Sequence, residues 1–172
     1  MIRRPRPNEI KLLPHIENNA DLGYARVGLR RVTDMPPASL ASLELARRRG
    51  LLWMAVSRFD RPVGFALLKL RGGTAWLDQL SVLDRWQGQG HGTALIGHSI
   101  ETARALGFDA LYLSTYRGVP WNAPFYERRG FREALRGTFA LPLRSVLMTE
   151  RNHGHPVWRR AIMRQGIDLS RR

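Results

Sequence analysis

Apolar and polar positions change period along this chain of 172 residues. Over residues 14–27, Ile16, Ala20 and Tyr24 recur at i, i+4 and i+8, which predicts a helix. A second helix is expected over residues 38–49, with Leu40, Leu43 and Leu45 as its apolar face and Gly50 as its stop. Ahead of both, the short apolar run 10–13 reads as a strand, and residues 1–8 read as a flexible Pro-rich arm. The period then shortens. Runs 51–57, 62–70 and 74–83 are short, apolar and bounded by turn residues, as strands are, and Gly72-Gly73 between the last two is a hairpin signal.

The longest helical signal spans residues 90–106, where Leu95, Ile96, Ile100, Ala103 and Leu106 form one stripe and Gly107 sits at the capping position. Residues 109–115 read as a strand. Residues 122–129 read as a short helix with Asn122 at its N-cap, Pro124 in its first turn and Gly130 at its exit. Further elements are expected at 131–135 (strand), 142–151 (helix) and 157–163 (strand). The order is α/β, mixed, around one twisted sheet, and the length suits a single domain over residues 1–172.

Composition narrows the class. A hydrophobic content of 44% excludes a disordered chain. With no cysteine there are no disulfides, thiolate metal sites or cysteine nucleophiles, which fits a reducing cytoplasm. No stretch approaches the roughly 18–20 apolar residues of a membrane span, and no apolar run follows the basic N-terminus, so no secretory signal is expected. The net charge of +14 rests on 28 basic residues. Lys11 and Lys69 are the only lysines, so the rest are arginine. Such a charge attracts polyanions. Nucleic acid is one candidate and a phosphate-rich cofactor another; an arginine-biased composition with no specific partner is the third reading.

The chemistry concentrates where strand 74–83 runs into a helix through Asp84-Arg85-Trp86-Gln87-Gly88-Gln89-Gly90-His91-Gly92-Thr93. A helix N-terminus leaves backbone N–H groups without partners and carries partial positive charge. Glycines let that backbone come close to an anion, so the segment can cradle phosphate without a lysine. Gly92-Thr93-Ala94 lacks the lysine of a Walker loop. The dinucleotide fingerprint would need glycine at Thr93 or Leu95. Three glycines could also serve only a tight strand-to-helix turn.

Gln87-x-x-Gly90-x-Gly92 resembles the Q/R-x-x-G-x-G/A signature of the general-control-related N-acetyltransferase (GNAT) superfamily, and Asn122-Ala123-Pro124-Phe125-Tyr126, ending at Gly130-Phe131, resembles its later motif. The order of elements is similar along nearly the whole chain, in the manner of a small bacterial-type single-domain member. The resemblance implies a twisted mixed sheet of about seven strands with helices on both faces. It implies acetyl-CoA as co-substrate, a primary amine as acceptor, and no metal.

By resemblance, Gln87, Gly88, Gln89, Gly90, His91, Gly92 and Thr93 would bind the pyrophosphate. Leu80, Ser81 and Val82 would carry the pantetheine arm, with a backbone N–H near Leu80 polarising the thioester carbonyl. Asn122 would hydrogen-bond that arm or cap its helix. Tyr126 would protonate the departing thiolate, or else pack at a helix–sheet junction; Phe125 and Phe131 read as core.

The attacking amine also needs a proton acceptor. Some members place a catalytic glutamate eleven residues before Gln87, where this chain has Trp76. Asp78, on the same strand face as Trp76 and Leu80, is either the general base or a polar substrate contact. Glu17, on the first helix, would read a cationic amine. His91 can simply face solvent, and His153 with His155 reads as a surface pair. The alternative to an enzyme acting on a small-molecule amine, amino acid or peptide is a coenzyme-A-binding protein that uses its basic surface on RNA, for example acetylating aminoacyl-tRNA. Monomer and homodimer both remain open.

Overall fold

The computed structural model describes residues 1–134 and 141–170. Among these, the strands are β1 (Ile2–Arg3), β2 (Leu52–Val56), β3 (Pro62–Arg71), β4 (Thr74–Val82), β5 (Ala110–Tyr116), β6 (Arg132–Glu133) and β7 (Arg160–Gly166). The helices are α1 (Leu13–Asp21), α2 (Arg30–Thr33), α3 (Leu40–Arg48), α4 (His91–Ala105), α5 (Ala123–Glu127) and α6 (Leu141–Asn152). The strands form one mixed sheet in the order β1-β2-β3-β4-β5-β7-β6, the α/β architecture expected. Contacts divide the chain into two compact units, Met1–Lys69 with Leu77–Thr102, and Leu70–Trp76 with Ala103–Arg172.

In the first unit, β1, β2 and β3 pair antiparallel, with Ile2 opposite Ala55 and Leu52 opposite Leu67. Six successive residues of β3, 63–68, are buried, which is why that strand shows a continuous apolar run and no alternation. Gly64 is required by a close approach: a Cβ there would lie 2.7 Å from the Ser81 carbonyl oxygen.

The N-terminus departs from expectation. Residues 1–8 are not a loose arm, because Ile2 and Arg3 pair with β2 and Arg3 bridges the Glu9 and Asp60 carboxylates at 2.7 Å each. Residues 10–13 are not a strand. Pro7–Leu12 is a 3-10 turn that leads into α1. Ile10, Leu13 and Ile16 are buried while Lys11 and Leu12 are exposed, a three-residue spacing that belongs to a helix. The helix expected through Val27 stops at Asp21, and Leu22–Val27 tightens to a 3-10 turn ended by left-handed Gly28. In α3 only Leu43 and Ala46 are buried; Leu40 and Leu45 are about half exposed. Residues two apart on a helix lie on opposite sides, so Leu43 and Leu45 do not share a face.

In the second unit, Gly72 and Gly73 (φ 51° and 77°) make the left-handed pair that a two-residue hairpin turn demands. β5 pairs antiparallel with β7, which also carries β6. Trp76 is buried against Val146 and Ile162 and stacks on Tyr112. The expected cap at Gly107 is present: Phe108 N–H donates to Ala103 O and Gly107 N–H to Arg104 O, the double bond of a Schellman ending. β7 begins at Arg160, because Val157–Arg159 is a 3-10 turn behind Pro156. The strand expected over 131–135 is limited to Arg132–Glu133, and Leu135 lies outside the described residues.

Candidate active site

β4 ends at Val82, and a 3-10 turn, Asp84–Trp86, leads into the glycine loop. Gly88 and Gly90 hold φ of 73° and 83°, and a Cβ on either would meet no atom within 4 Å. The backbone is therefore in the left-handed region on a side open to an approaching group. α4 starts at His91, so the loop delivers the orphan donors and positive end of a helix of 15 residues. Side-chain amides lace the loop. Gln87 Nε2 donates to Val82 O and Gln89 Nε2 to Arg85 O, each at 3.0 Å. Gln87 thus ties the loop to the end of β4 through its side chain.

The half-buried His91 meets the Trp86 ring edge-on at 5.7 Å, and burial holds its imidazole below the usual range. It does not simply face solvent. Trp86 Nε1 is buried and has no hydrogen-bond partner among the described residues. An open, left-handed backbone at the head of a helix fits a phosphate-bearing coenzyme.

The same unit carries a group of carboxylates. Glu17 is buried and accepts the Ala38 N–H at 3.1 Å. Burial raises its pKa, the Ala38 bond opposes this, and the charge of Asp78 adds to it. Asp21, one turn further along α1, is pushed up to about 7 by burial first and the Glu17 charge second. Asp78 is half-buried on β4 and pairs with Lys69 Nζ at 2.6 Å. The Asp78 carboxylate is thus engaged by an ammonium on the neighbouring strand. Leu80 is half-buried, and Ser81 and Val82 are buried; the Ser81 hydroxyl accepts from Gln79 Nε2 at 2.9 Å.

In the second unit, Asn122 holds the N-cap position of α5 but its side chain makes no cap bond. Its Oδ1 instead accepts from the Thr115 hydroxyl at 2.6 Å. The expected side-chain cap is absent because β5 claims that oxygen. Tyr126 is half-buried, with its ring edge-to-face on Phe125 and Phe131 at 5.2 and 5.7 Å. Phe131 is fully buried, whereas Phe125 is half-buried under the Arg129 guanidinium at 3.6 Å.

The model of the acetyltransferase (GNAT) family matches residues 24–131, which takes in the glycine loop and the Asn122–Phe131 motif. The chain belongs to this family. As an acetyl-CoA-dependent N-acetyltransferase it has structural neighbours along almost its whole length. A Mycobacterium tuberculosis protein in complex with CoA has a TM-score of 0.73 at 16% identity, over 98% of this chain and 99% of that one. N-acetylglutamate synthase from Neisseria gonorrhoeae, complexed with coenzyme A and N-acetyl-glutamate, has a TM-score of 0.70 at 20% identity; 98% of this chain corresponds to 35% of that enzyme. The ribosomal-protein-S18-alanine N-acetyltransferase from Escherichia coli has a TM-score of 0.66 at 20% identity, over 98% and 94% of the two chains.

In this acetyltransferase several side-chain pairings escaped sequence reasoning. Asp21 was detectable, as the i+4 neighbour of Glu17 on a recognised helix. Lys69 carried no local signal, since its partner Asp78 sits on the next strand. His155 is not part of a surface pair: its Nδ1 lies 2.5 Å from the Tyr116 hydroxyl. Burial, followed by the Arg160 charge, lowers it to about 4, so at neutral pH the ring that shares this hydrogen bond is uncharged. Among the described residues no group of three or more His, Cys, Asp or Glu could hold a metal ion, and no helix is long and apolar enough to cross a membrane.

Proposed function

We propose that the protein moves an acetyl group from acetyl-CoA to a primary amine by direct attack, with a small-molecule amine, amino acid or peptide amine as acceptor, and that residues 1–172 work as one transferase domain. The observation that carries the reading is the loop of residues 87–93, left-handed and open at Gly88 and Gly90 at the head of α4. Its backbone amides are assigned to the coenzyme pyrophosphate, and Leu80, Ser81 and Val82, with Asn122, to the pantetheine arm. The coenzyme supplies an acyl thioester whose C–S bond breaks as the amine nitrogen forms the new C–N bond. Tyr126 is assigned the proton that the sulfur takes up. No cysteine exists to carry the acyl group, in keeping with direct transfer.

The amine must shed a proton. Asp21 suits this better than Asp78: it carries a pKa of about 7, whereas Asp78 is engaged by Lys69. A base that titrates near the working pH is the more effective one. Glu17 and Asp78 then favour a cationic acceptor. The RNA-directed alternative draws on no observation beyond net charge.

Thiol release from acetyl-CoA, measured with pools of amino acids, polyamines and peptides, tests the reading. Turnover with at least one amine pool is expected; coenzyme binding with no turnover on any pool would remove the enzyme in favour of a coenzyme-binding protein.

Asp21 also predicts a stability effect. The folded protein keeps a proton on Asp21 that the unfolded chain gives up near its ordinary pKa of 3.8. Unfolding between about pH 4 and 7 therefore releases a proton, and this contribution to stability is lost as pH rises through that window. Asp21→Asn removes the cost of a buried charge. It should raise stability at pH 8 by about 2 kcal/mol, allowing for partial exposure, and change little at pH 4. Urea unfolding at both pH values measures the difference; an equal change at the two would show that Asp21 titrates normally.

A further inference from the structure

The 3-10 turn Asp84–Trp86 opens the coenzyme loop, and its first backbone donor has no local partner. The residue at its cap is Leu83, whose side chain accepts no hydrogen bond. The Asp84 N–H is instead taken by Asn19 Oδ1 at 2.9 Å, from α1, 65 residues away in sequence. The turn closes on itself after that point, with Trp86 N–H on Leu83 O and Gln87 N–H on Asp84 O. Further on, the side chains of Gln87 and Gln89 close it again onto Val82 O and Arg85 O. Two bonds tie the beginning of this turn to other elements: Leu83 N–H on Val63 O of β3 at 2.9 Å, and Asp84 N–H on Asn19 Oδ1 of α1.

We infer that Asn19 is a positioning residue for coenzyme binding. By capping the Asp84 turn from α1, it holds the Gly88–Gly90 backbone in the arrangement that receives the pyrophosphate. The inference rests on the reading of the 87–93 loop as the coenzyme site. A loop whose amides are set in advance spends less binding energy on being ordered. Without Asn19 the exposed Asp84 N–H would turn to water, and the turn would lose this tie to α1. The link has a second consequence. Glu17 and Asp21 lie on the same helix as Asn19, so an acceptor that shifts α1 also shifts the loop, and the coenzyme affects acceptor binding by the same factor.

The test uses the full chain and coenzyme A as probe, titrated by calorimetry. Asn19→Ala should raise the Kd for coenzyme A about five- to ten-fold, the range of one hydrogen bond with an ordering role. Asn18→Ala is the control. It lies on the same helix, its side chain is exposed, and the same gain in helix propensity accompanies it. It should leave Kd unchanged. Asn19→Asp keeps an acceptor oxygen at the same reach and should recover most of the affinity at an ionic strength high enough to screen its added charge.

In steady state the loss at Asn19→Ala should fall on KM for acetyl-CoA and spare kcat. Equal Kd for the two alanine variants would overturn the inference, and so would failure of Asn19→Asp to recover. If the unmodified chain binds no coenzyme A, it is the reading of the loop that fails.

Discussion

Gly90→Val should weaken coenzyme A binding about 30- to 100-fold while the protein stays folded. Two costs separate cleanly. Gly90 has φ of 83°, where a β-branched residue loses roughly 1–2 kcal/mol of stability. That part appears as a lower Tm. The added side chain meets no protein atom within 4 Å of its Cβ, so it creates no internal clash. It does occupy the space through which an anion would reach the loop amides. Removing one or two charge-assisted bonds at about 1.5–3 kcal/mol each gives the expected loss in affinity.

Gly28→Val calibrates the first cost. Gly28 is also left-handed, with φ of 71° and nothing near its Cβ, but it ends the 22–27 turn away from the loop in sequence. It should lower Tm by a similar amount and leave the Kd for coenzyme A alone. If Gly90→Val binds coenzyme A normally, the loop has been misread.

Tyr126→Phe should lower turnover about 100-fold with little change in affinity for acetyl-CoA. The substitution removes one oxygen. The ring keeps its edge-to-face contacts with Phe125 and Phe131, and the backbone bonds that join Tyr126 to Asn122 and Phe131 are untouched. Packing is thus preserved and the loss belongs to the hydroxyl. General acid catalysis contributes about 10²–10⁴-fold, and a thiolate leaves unaided better than most groups, so the lower end applies. Pre-steady-state acetyl transfer, compared with binding of acetyl-CoA, distinguishes a lost proton donor from a lost contact. Unchanged turnover would take Tyr126 out of the mechanism and leave it as packing.

The middle of the chain was legible because its signals are local. β2 to β5 are apolar runs closed by Asp60, Gly72-Gly73 and the glycine loop, and α4 carries buried Leu95, Ile96 and Ala103 before a Gly107 cap. The glycine loop declares itself by composition and by its place between β4 and α4. The beginning of the chain was misread for a physical reason. Three apolar residues around Lys11 at 10–13 fit a strand and a helical turn equally, and the turn that forms lies beside ion pairs of Arg3 with Glu9 and Asp60, which meet only in the folded chain.

The same holds for side-chain roles. Asn122 has the sequence of a helix cap, and a threonine on the preceding strand redirects it. Asp78 has the position of a base, and Lys69 on the neighbouring strand pairs with it. Asn19 gave no signal at all, since its partner is a backbone N–H 65 residues later. Motifs name the groups that touch a ligand; the pairings that tune those groups lie across distances that a linear pattern does not encode.

Gly64 carries no reactive atom, yet the Ser81 carbonyl lies where its side chain would be. Anyone surveying this protein by random mutagenesis for lost acetylation should expect position 64 to behave like an active-site residue. Even alanine would have to push aside the strand end assigned to the pantetheine arm. The damage would register as a failure to use acetyl-CoA, and no amount of added acceptor would repair it.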